Sequence, residues 1–179
     1  PRVRLIKSNG AASTMSSLDV IGGTAWLFAR PDMVGALDYL FVDEASQVAV
    51  ARLVSNARAA KNIVLVGDQM QLGQPTQAAH PRESGLSTLE YLLGDRAIVL
   101  PDRGILLNQT WRLQPDLCRF ISGSFYEDQL LPRPGTELNR IIVRKGGRIP
   151  VEAGLCFVPV PHEGNVQDSA EEAETIKAI

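Results

Sequence analysis

Short apolar runs alternate with amphipathic segments along the chain. The runs at 20–29 (VIGGTAWLFA), 39–43 (YLFVD) and 62–68 (NIVLVGD) predict buried strands. Residues 45–61 carry apolar side chains at helical spacing, and residues 85–94 predict a short helix that ends at a glycine. Nearly continuous apolar strands that alternate with helices indicate a parallel sheet covered on both faces. The predicted fold class is therefore α/β.

A second region begins at a boundary that we place near residues 101–104. Its predicted elements are a strand at 104–108 (GILLN), a helix bearing Leu117, Phe120 and Ile121, a strand at 154–161 (GLCFVPVP), and a helix with Ser169 as N-cap and Glu172 three residues on. The predicted division is residues 1–103 and residues 104–179. The sequence has no initiator methionine, and nothing caps the end of its last helix, so we expect a fragment of a longer polypeptide.

Composition narrows the class of protein. The 179 residues are 45% hydrophobic and 21% charged, which is typical of a soluble globular chain. The net charge of -2 argues neither for nor against nucleic acid, because a binding groove needs only a local basic stripe. Two cysteines, Cys118 and Cys156, and two histidines do not predict a structural zinc site and fit a reducing compartment. We expect an intracellular protein, cytoplasmic or nuclear, with no membrane partner, since no run is long enough to span a bilayer.

Two adjacent carboxylates follow the apolar run at 39–42. At the end of a strand, Asp43 is placed to hold Mg²⁺ through its waters, and Glu44 to orient and deprotonate an attacking water. Functional groups in parallel sheets gather beyond the carboxyl ends of the strands, where Asp68 also lies. Taken by itself, the pair fits a second interpretation better, by about two to one, because acidic residues favour the start of a helix.

Three further segments, in order with the segment that contains the pair, decide between these interpretations. VIGGTAW (20–26), VDEASQ (42–47), GDQMQLGQP (67–75) and QTWRLQP (109–115), the last followed by FISGSFYEDQL, resemble motifs of superfamily 1 helicases. The match is to motifs II, III and IV and the threonine motif before them, in the Upf-like branch, which includes Dna-two-type and Sen-type enzymes. The resemblance spans roughly residues 18 to 179.

The resemblance implies parts of two RecA-like P-loop NTPase domains with parallel sheets flanked by helices, and ATP and Mg²⁺ as cofactors. Asp43 matches the Mg²⁺ carboxylate and Glu44 the catalytic base. Gln71 matches a glutamine that contacts the γ-phosphate or the attacking water. Arg112 matches an arginine that reaches the γ-phosphate from the second domain, and Trp111 takes the place of a tyrosine that packs on the base or ribose. We expect four polar side chains to face one cleft between the two domains, with the arginine on the opposite wall: Asp43, Glu44, Gln71 and Arg112.

On the nucleic-acid side, Thr24 matches a threonine near the backbone of a single strand, DNA or RNA. The implied activity is ATP-dependent helicase or translocase action with 5′ to 3′ polarity, and a nuclease domain can accompany such a motor in the same chain. Gln109 is one residue out of register with the family glutamine and is given no role. The sequence contains no Gly-Lys dipeptide and therefore no GxxxxGK[ST] phosphate cradle, so we expect the isolated chain to be inactive.

Other interpretations stay open at this point. A degenerate RecA-like module would bind a partner or nucleic acid without hydrolysing ATP. A metal-dependent nuclease would use Asp43, Glu44 and Asp68, but this hypothesis does not explain the segments around Gln71 and Arg112. Trp111 also fits a packing role, and Gln71 a loop cap.

Overall fold

The protein mixes helices with parallel strands, which confirms the predicted α/β class. The computed structural model describes residues 3–5, 19–73, 80–143, 149 and 151–179. The chain divides into two compact units, Pro1–Ala97 and Ile98–Ile179. The predicted boundary after residue 103 stays a prediction.

The first unit contains two pairs of parallel strands with helices between them. Its elements are β1 (Val3–Leu5), β2 (Val20–Gly22), α1 (Ala25–Phe28), β3 (Leu37–Val42), α2 (Val50–Ala57), β4 (Ala60–Leu65) and α3 (Thr88–Leu93), with 3-10 turns at Pro31–Met33, Ala45–Gln47 and Arg82–Gly85. Strand β1 pairs with β2, and β3 pairs with β4. The predicted strand at 20–29 is wrong beyond its first three residues. Thr24 is the N-cap residue of helix α1, so the chain turns into a helix from Ala25 onward.

The core of the first unit lies under α1 and the turn that follows it. Leu27, Met33 and Ala59 are fully or almost fully buried, with Ile21 and Leu37 packed against them. Burying a leucine or methionine side chain contributes about 1.5–3 kcal/mol each. This cluster therefore fixes the start of β3 against the end of α2.

Strand β3 ends at Val42, as its pattern predicts, and Asp43 and Glu44 follow it. Leu40 on one face is buried, whereas Tyr39 and Phe41 on the other are 58% and 67% exposed. Helices flank the parallel strands as predicted, and this face of β3 is exposed in the described residues. Side chains alternate between the faces of a strand, so a single apolar run does not reveal which face is covered.

Helix α3 is fixed at both ends. The Ser87 hydroxyl accepts a hydrogen bond from the Glu90 N–H, the Glu90 carboxylate accepts one from the Ser87 N–H, and Gly94 closes the helix at φ 62°. Thr88 donates through both its N–H and its hydroxyl to the carbonyl of Val48. The predicted helix at 85–94 is confirmed with a later start, and the helix predicted at 45–61 is limited to α2.

The second unit has fewer regular elements. They are β5 (Gln109–Thr110), α4 (Pro115–Phe125), β6 (Leu131–Pro132), a 3-10 turn at Thr136–Leu138, and α5 (Ala170–Ala178). Strands β5 and β6 are parallel neighbours. The strands predicted at 104–108 and 154–161 are wrong, because neither segment is a strand in the structure. The Asn108 carbonyl, directly before β5, nevertheless accepts a hydrogen bond from the Leu131 N–H at 2.7 Å. Helices α4 and α5 are confirmed, and Ser169 caps α5 by accepting from the Glu172 N–H.

Helix α4 packs through Cys118 and Ser122, which are both buried. The Ser122 hydroxyl accepts a hydrogen bond from the Leu130 N–H at 2.9 Å, and this bond ties α4 to the chain that leads into β6. Burial raises the pKa of the Cys118 thiol, so the group is a neutral core residue at neutral pH. Within the described residues, no helix combines the length and apolar character needed to cross a bilayer.

Candidate active site

The carboxylates Asp43 and Glu44 lie on a turn directly after β3, and both are exposed. Asp43 Oδ1 accepts a hydrogen bond from the Glu44 N–H at 3.0 Å. This bond orients the Asp43 carboxylate relative to the backbone of the turn. The two side chains are thus available to a ligand at the carboxyl end of the strand.

Glu44 adopts the left-handed conformation, with φ 51° and ψ 44°. For a residue with a Cβ, this conformation costs about 1–2 kcal/mol. Glu44 is held in this conformation because the next two residues, Ala45 and Ser46, are buried in the 3-10 turn against the rest of the unit. Backbone strain of this kind concentrates at functional sites.

Hydrogen bonds join this turn to the end of β4. The Val66 N–H donates to the Val42 carbonyl and the Ala45 N–H to the Val66 carbonyl, each at 2.9 Å. At Gly67 a Cβ would lie 2.9 Å from the Ala45 nitrogen and 3.2 Å from that of Ser46. Only glycine permits this approach. The carboxylate turn and the loop after β4 therefore form one rigid edge.

The loop after β4 is organised by Asp68. Its Oδ1 accepts from the Met70 N–H and its Oδ2 from the Gln71 side-chain amide, each at 3.0 Å. Gln71 is exposed and is held by its contact with Asp68. Because both Asp68 oxygens accept hydrogen bonds from its own loop, Asp68 has a loop-forming role in the structure.

Sequence reasoning missed Gln69, which anchors this loop. Its side-chain amide donates to the carbonyls of Gly94, at 2.9 Å, and Arg96, just past α3. Gln69 therefore holds the loop from one side while Gly67 holds it from the other. The motif resemblance gives a role to Gln71 and none to Gln69. The role of Gln69 comes from its contacts with Gly94 and Arg96, which the sequence of the loop does not reveal.

In the second unit, Trp111 and Arg112 follow the carboxyl end of β5, and both are exposed. The Thr110 hydroxyl accepts from the N–H groups of Arg112 and Leu113 at 3.3 Å, which makes a tight turn. The Gln114 side chain then accepts from the Asp116 and Leu117 N–H groups and caps α4. The turn thus projects Arg112 between a strand end and a helix start.

Two residues that the sequence did not single out support this turn. Asn139 donates through its side-chain amide to the Arg112 carbonyl at 3.0 Å. Arg133, which follows β6, places its guanidinium carbon 3.2 Å from the centre of the Trp111 ring. A polar residue and an arginine far along the chain carry no motif signal, so only the structure finds them.

Thr24 is exposed at the start of α1, and its hydroxyl makes no capping hydrogen bond to the helix. Its carbonyl accepts from the Leu27 N–H at 2.9 Å. The hydroxyl is thus not used in capping the helix, and its predicted contact with a nucleic-acid backbone stays a prediction.

The donor set suits Mg²⁺ brought by a nucleotide. This ion is usually held by one or two carboxylates together with substrate phosphates and water. Asp43 supplies such a carboxylate, oriented through Oδ1, and among the described residues no hydrogen bond reaches its Oδ2. The described residues contain no cluster of three or more His, Cys, Asp or Glu that would make a separate metal cage.

An α/β unit with two acidic residues after one strand and a structured polar loop after its neighbour is of the kind found in nucleoside triphosphatases. Comparisons with known proteins point to a particular group. The chain is 34% identical to "Regulator of nonsense transcripts 1 homolog" of Drosophila melanogaster and 33% identical to "ATP-dependent helicase upf1" of Schizosaccharomyces pombe, each over 92 residues. The resemblance to Upf-like superfamily 1 helicases is therefore confirmed over about half of the chain.

The aligned part is 51% of this chain but only 8% of the Drosophila protein and 10% of the yeast protein. No protein-family model matches the chain. The similarity supports a helicase and the use of ATP at the level of the family resemblance, while the roles of individual residues stay predictions.

Proposed function

We propose that this chain is part of an ATP-dependent superfamily 1 helicase or translocase that moves 5′ to 3′ on single-stranded DNA or RNA. One observation carries the proposal: the Asp43–Glu44 turn and the Asp68–Gln71 loop lie at the same edge of the β3–β4 pair, joined by the hydrogen bonds of Val66. This arrangement suits hydrolysis of a terminal phosphate.

In the proposed reaction, Asp43 would hold Mg²⁺ through its waters, and an ion bound there would supply positive charge for the phosphates. The Glu44 carboxylate orients the attacking water and accepts its proton. Gln71, held by Asp68, contacts the same water or the γ-phosphate. The Gln71–Asp68 contact couples a change at the γ-phosphate to the conformation of the loop that Gln69 ties to α3.

Arg112 supplies a cation to the γ-phosphate, and Trp111 stacks on the base or ribose. Among the described residues no carboxylate lies within salt-bridge distance of Arg112, whereas Arg119 on α4 pairs with Asp116 at 3.1 Å. An unpaired guanidinium keeps its charge available for a developing negative charge. Thr24 contributes a hydroxyl to a phosphate of the nucleic acid. The 179 residues alone are expected to lack ATPase activity, because the chain contains no phosphate cradle.

The test is ATP hydrolysis by the full-length protein, with and without single-stranded RNA or DNA. Arg112→Ala should lower stimulated turnover by about 10³–10⁵-fold, the usual contribution of an arginine finger. Arg119→Ala is the matched control, since its guanidinium is paired on the surface of the same unit, and should hydrolyse ATP like the wild type.

The nucleic acid that stimulates turnover identifies the substrate strand. ATP or nucleic-acid binding with no hydrolysis by the wild type would favour the alternative, a RecA-like module without motor activity. Wild-type turnover in Arg112→Ala would contradict the role given to that residue.

A further inference from the structure

Arg133 occupies a fixed place beside the Trp111 turn. Its N–H donates to the Thr110 carbonyl at 3.0 Å, which continues the β5–β6 pairing. Its carbonyl accepts from both the N–H and the hydroxyl of Thr136, at 3.1 and 2.8 Å, and Thr136 is 5% exposed. The Arg133 backbone is therefore anchored on both sides, one residue past the end of β6.

The Arg133 guanidinium lies on an aromatic ring and not on an acid. Its Cζ is 3.2 Å from the centre of the Trp111 ring. Elsewhere in the second unit, Arg119 and Arg140 pair with Asp116 and Glu152, whereas no described carboxylate lies within salt-bridge distance of Arg133. A guanidinium stacked on an indole is attracted by the negative face of the ring.

Trp111 is still 66% exposed beneath this cation. A cation covers one face of a flat ring, so most of the exposed area belongs to the other face and the edges. An exposed aromatic face that is held in a fixed orientation suits stacking with a nucleobase. The side chain is already ordered, so binding loses less conformational entropy.

We propose that Arg133 is a positioning residue that holds the Trp111 ring so that its free face accepts the base of the nucleotide. This inference rests on the proposed function, which gives Trp111 its stacking role. Arg133 acts through Trp111 and touches neither phosphate nor metal. The proposed base-stacking surface consists of the Trp111 ring, which follows β5, and the Arg133 guanidinium, which follows β6.

The experiment compares two probes that differ in whether they carry a base. The affinities of the full-length protein for ATP and for inorganic tripolyphosphate, each with Mg²⁺, are measured for the wild type, Trp111→Ala, Arg133→Gln and the double variant. Arg140→Gln is the matched control, because it removes an exposed arginine of the same unit that pairs with Glu152 and not with an aromatic ring.

Trp111→Ala should weaken ATP binding by about five- to a hundredfold, the range for loss of one base stack. Arg133→Gln should weaken it by about two- to fivefold, and Arg133→Lys should restore part of the loss because a cation remains. The double variant should match Trp111→Ala, since Arg133 acts only through the ring. Tripolyphosphate affinity should be unchanged in all variants, which also shows that the proteins are folded.

Equal losses for ATP and tripolyphosphate in Arg133→Gln would overturn the inference, because they indicate a phosphate contact or a disturbed fold. An Arg133→Gln protein that binds ATP like Arg140→Gln would overturn it as well. In both cases the proposed function survives. A wild-type protein that binds neither probe would contradict the proposed function itself.

Discussion

Glu44 combines the role of a proposed catalytic base with an unfavourable backbone conformation. At φ 51° its Cβ is crowded by its own backbone, and the following buried residues Ala45 and Ser46 hold the turn in place. Sequence selection for stability alone would favour glycine here. A glutamate at this position therefore carries a cost to stability, and its use as a catalytic base stays a prediction.

This interpretation predicts the order of stability of two variants. Both Glu44→Gly and Glu44→Ala remove the carboxylate, but only glycine relieves the left-handed strain. Because glycine also adds freedom to the unfolded chain, the net advantage of Glu44→Gly over Glu44→Ala should be about 0.5–1 kcal/mol in the free energy of unfolding. Denaturant unfolding of the two full-length variants measures it, and an equally or more stable alanine variant would contradict the strain.

At the scale of the elements, the site depends on how closely two strand ends approach. Strands β3 and β4 continue their pairing into the loops through Val66, and Gly67 lies against the backbone of the carboxylate turn. Neither contact uses a side chain that would take part in the proposed chemistry. The geometry of the carboxylates is thus set by the backbone of the neighbouring strand.

Gly67→Ala tests this dependence. The added methyl would lie 2.9 Å from the Ala45 nitrogen and 3.1 Å from Leu89 Cδ1, so the turn must shift. We expect a loss of about 1–3 kcal/mol in the free energy of unfolding, the usual cost of overpacking, together with reduced ATP hydrolysis. Gly73→Ala is the control, because no described atom lies within 4 Å of the added methyl and Gly73 lies beyond the predicted contact residues. Wild-type stability and turnover in Gly67→Ala would contradict the close approach.

The sequence predicted the elements best where capping signals accompanied the apolar pattern. Helix α3 was predicted with its closing glycine and α5 with Ser169 as N-cap, and both are confirmed. Apolar runs without such signals were less informative. Residues 20–29 divide into a strand and a helix, and residues 104–108 and 154–161 form no strand, because a strand needs a partner that the local sequence does not specify.

The candidate site shows the same limit. Motif resemblance supplied Asp43, Glu44, Gln71, Trp111 and Arg112, which are residues of the proposed chemistry. It assigned no role to the residues that hold them, namely Gly67, Gln69, Asn139 and Arg133. Their roles arise from contacts between segments far apart in the chain, and such contacts leave no local pattern.

At the scale of the whole molecule, the proposed chemistry is divided between two compact units. Asp43, Glu44 and Gln71 lie in the first, and Trp111 and Arg112 lie in the second. In each unit the residues follow the carboxyl ends of parallel strands. A cleft shared by the two sets of residues stays a prediction.

The measurement that tests this account most directly is nucleic-acid-stimulated ATP hydrolysis by full-length Glu44→Gln, with ATP binding followed in parallel. The amide keeps the shape of the side chain but cannot accept a proton, so turnover should fall by about 10²–10⁴-fold while ATP affinity is retained. Glu83→Gln, which changes an exposed acid elsewhere in the same unit, should leave both unchanged. Undiminished hydrolysis in Glu44→Gln would contradict the assignment of a catalytic base to the β3 turn.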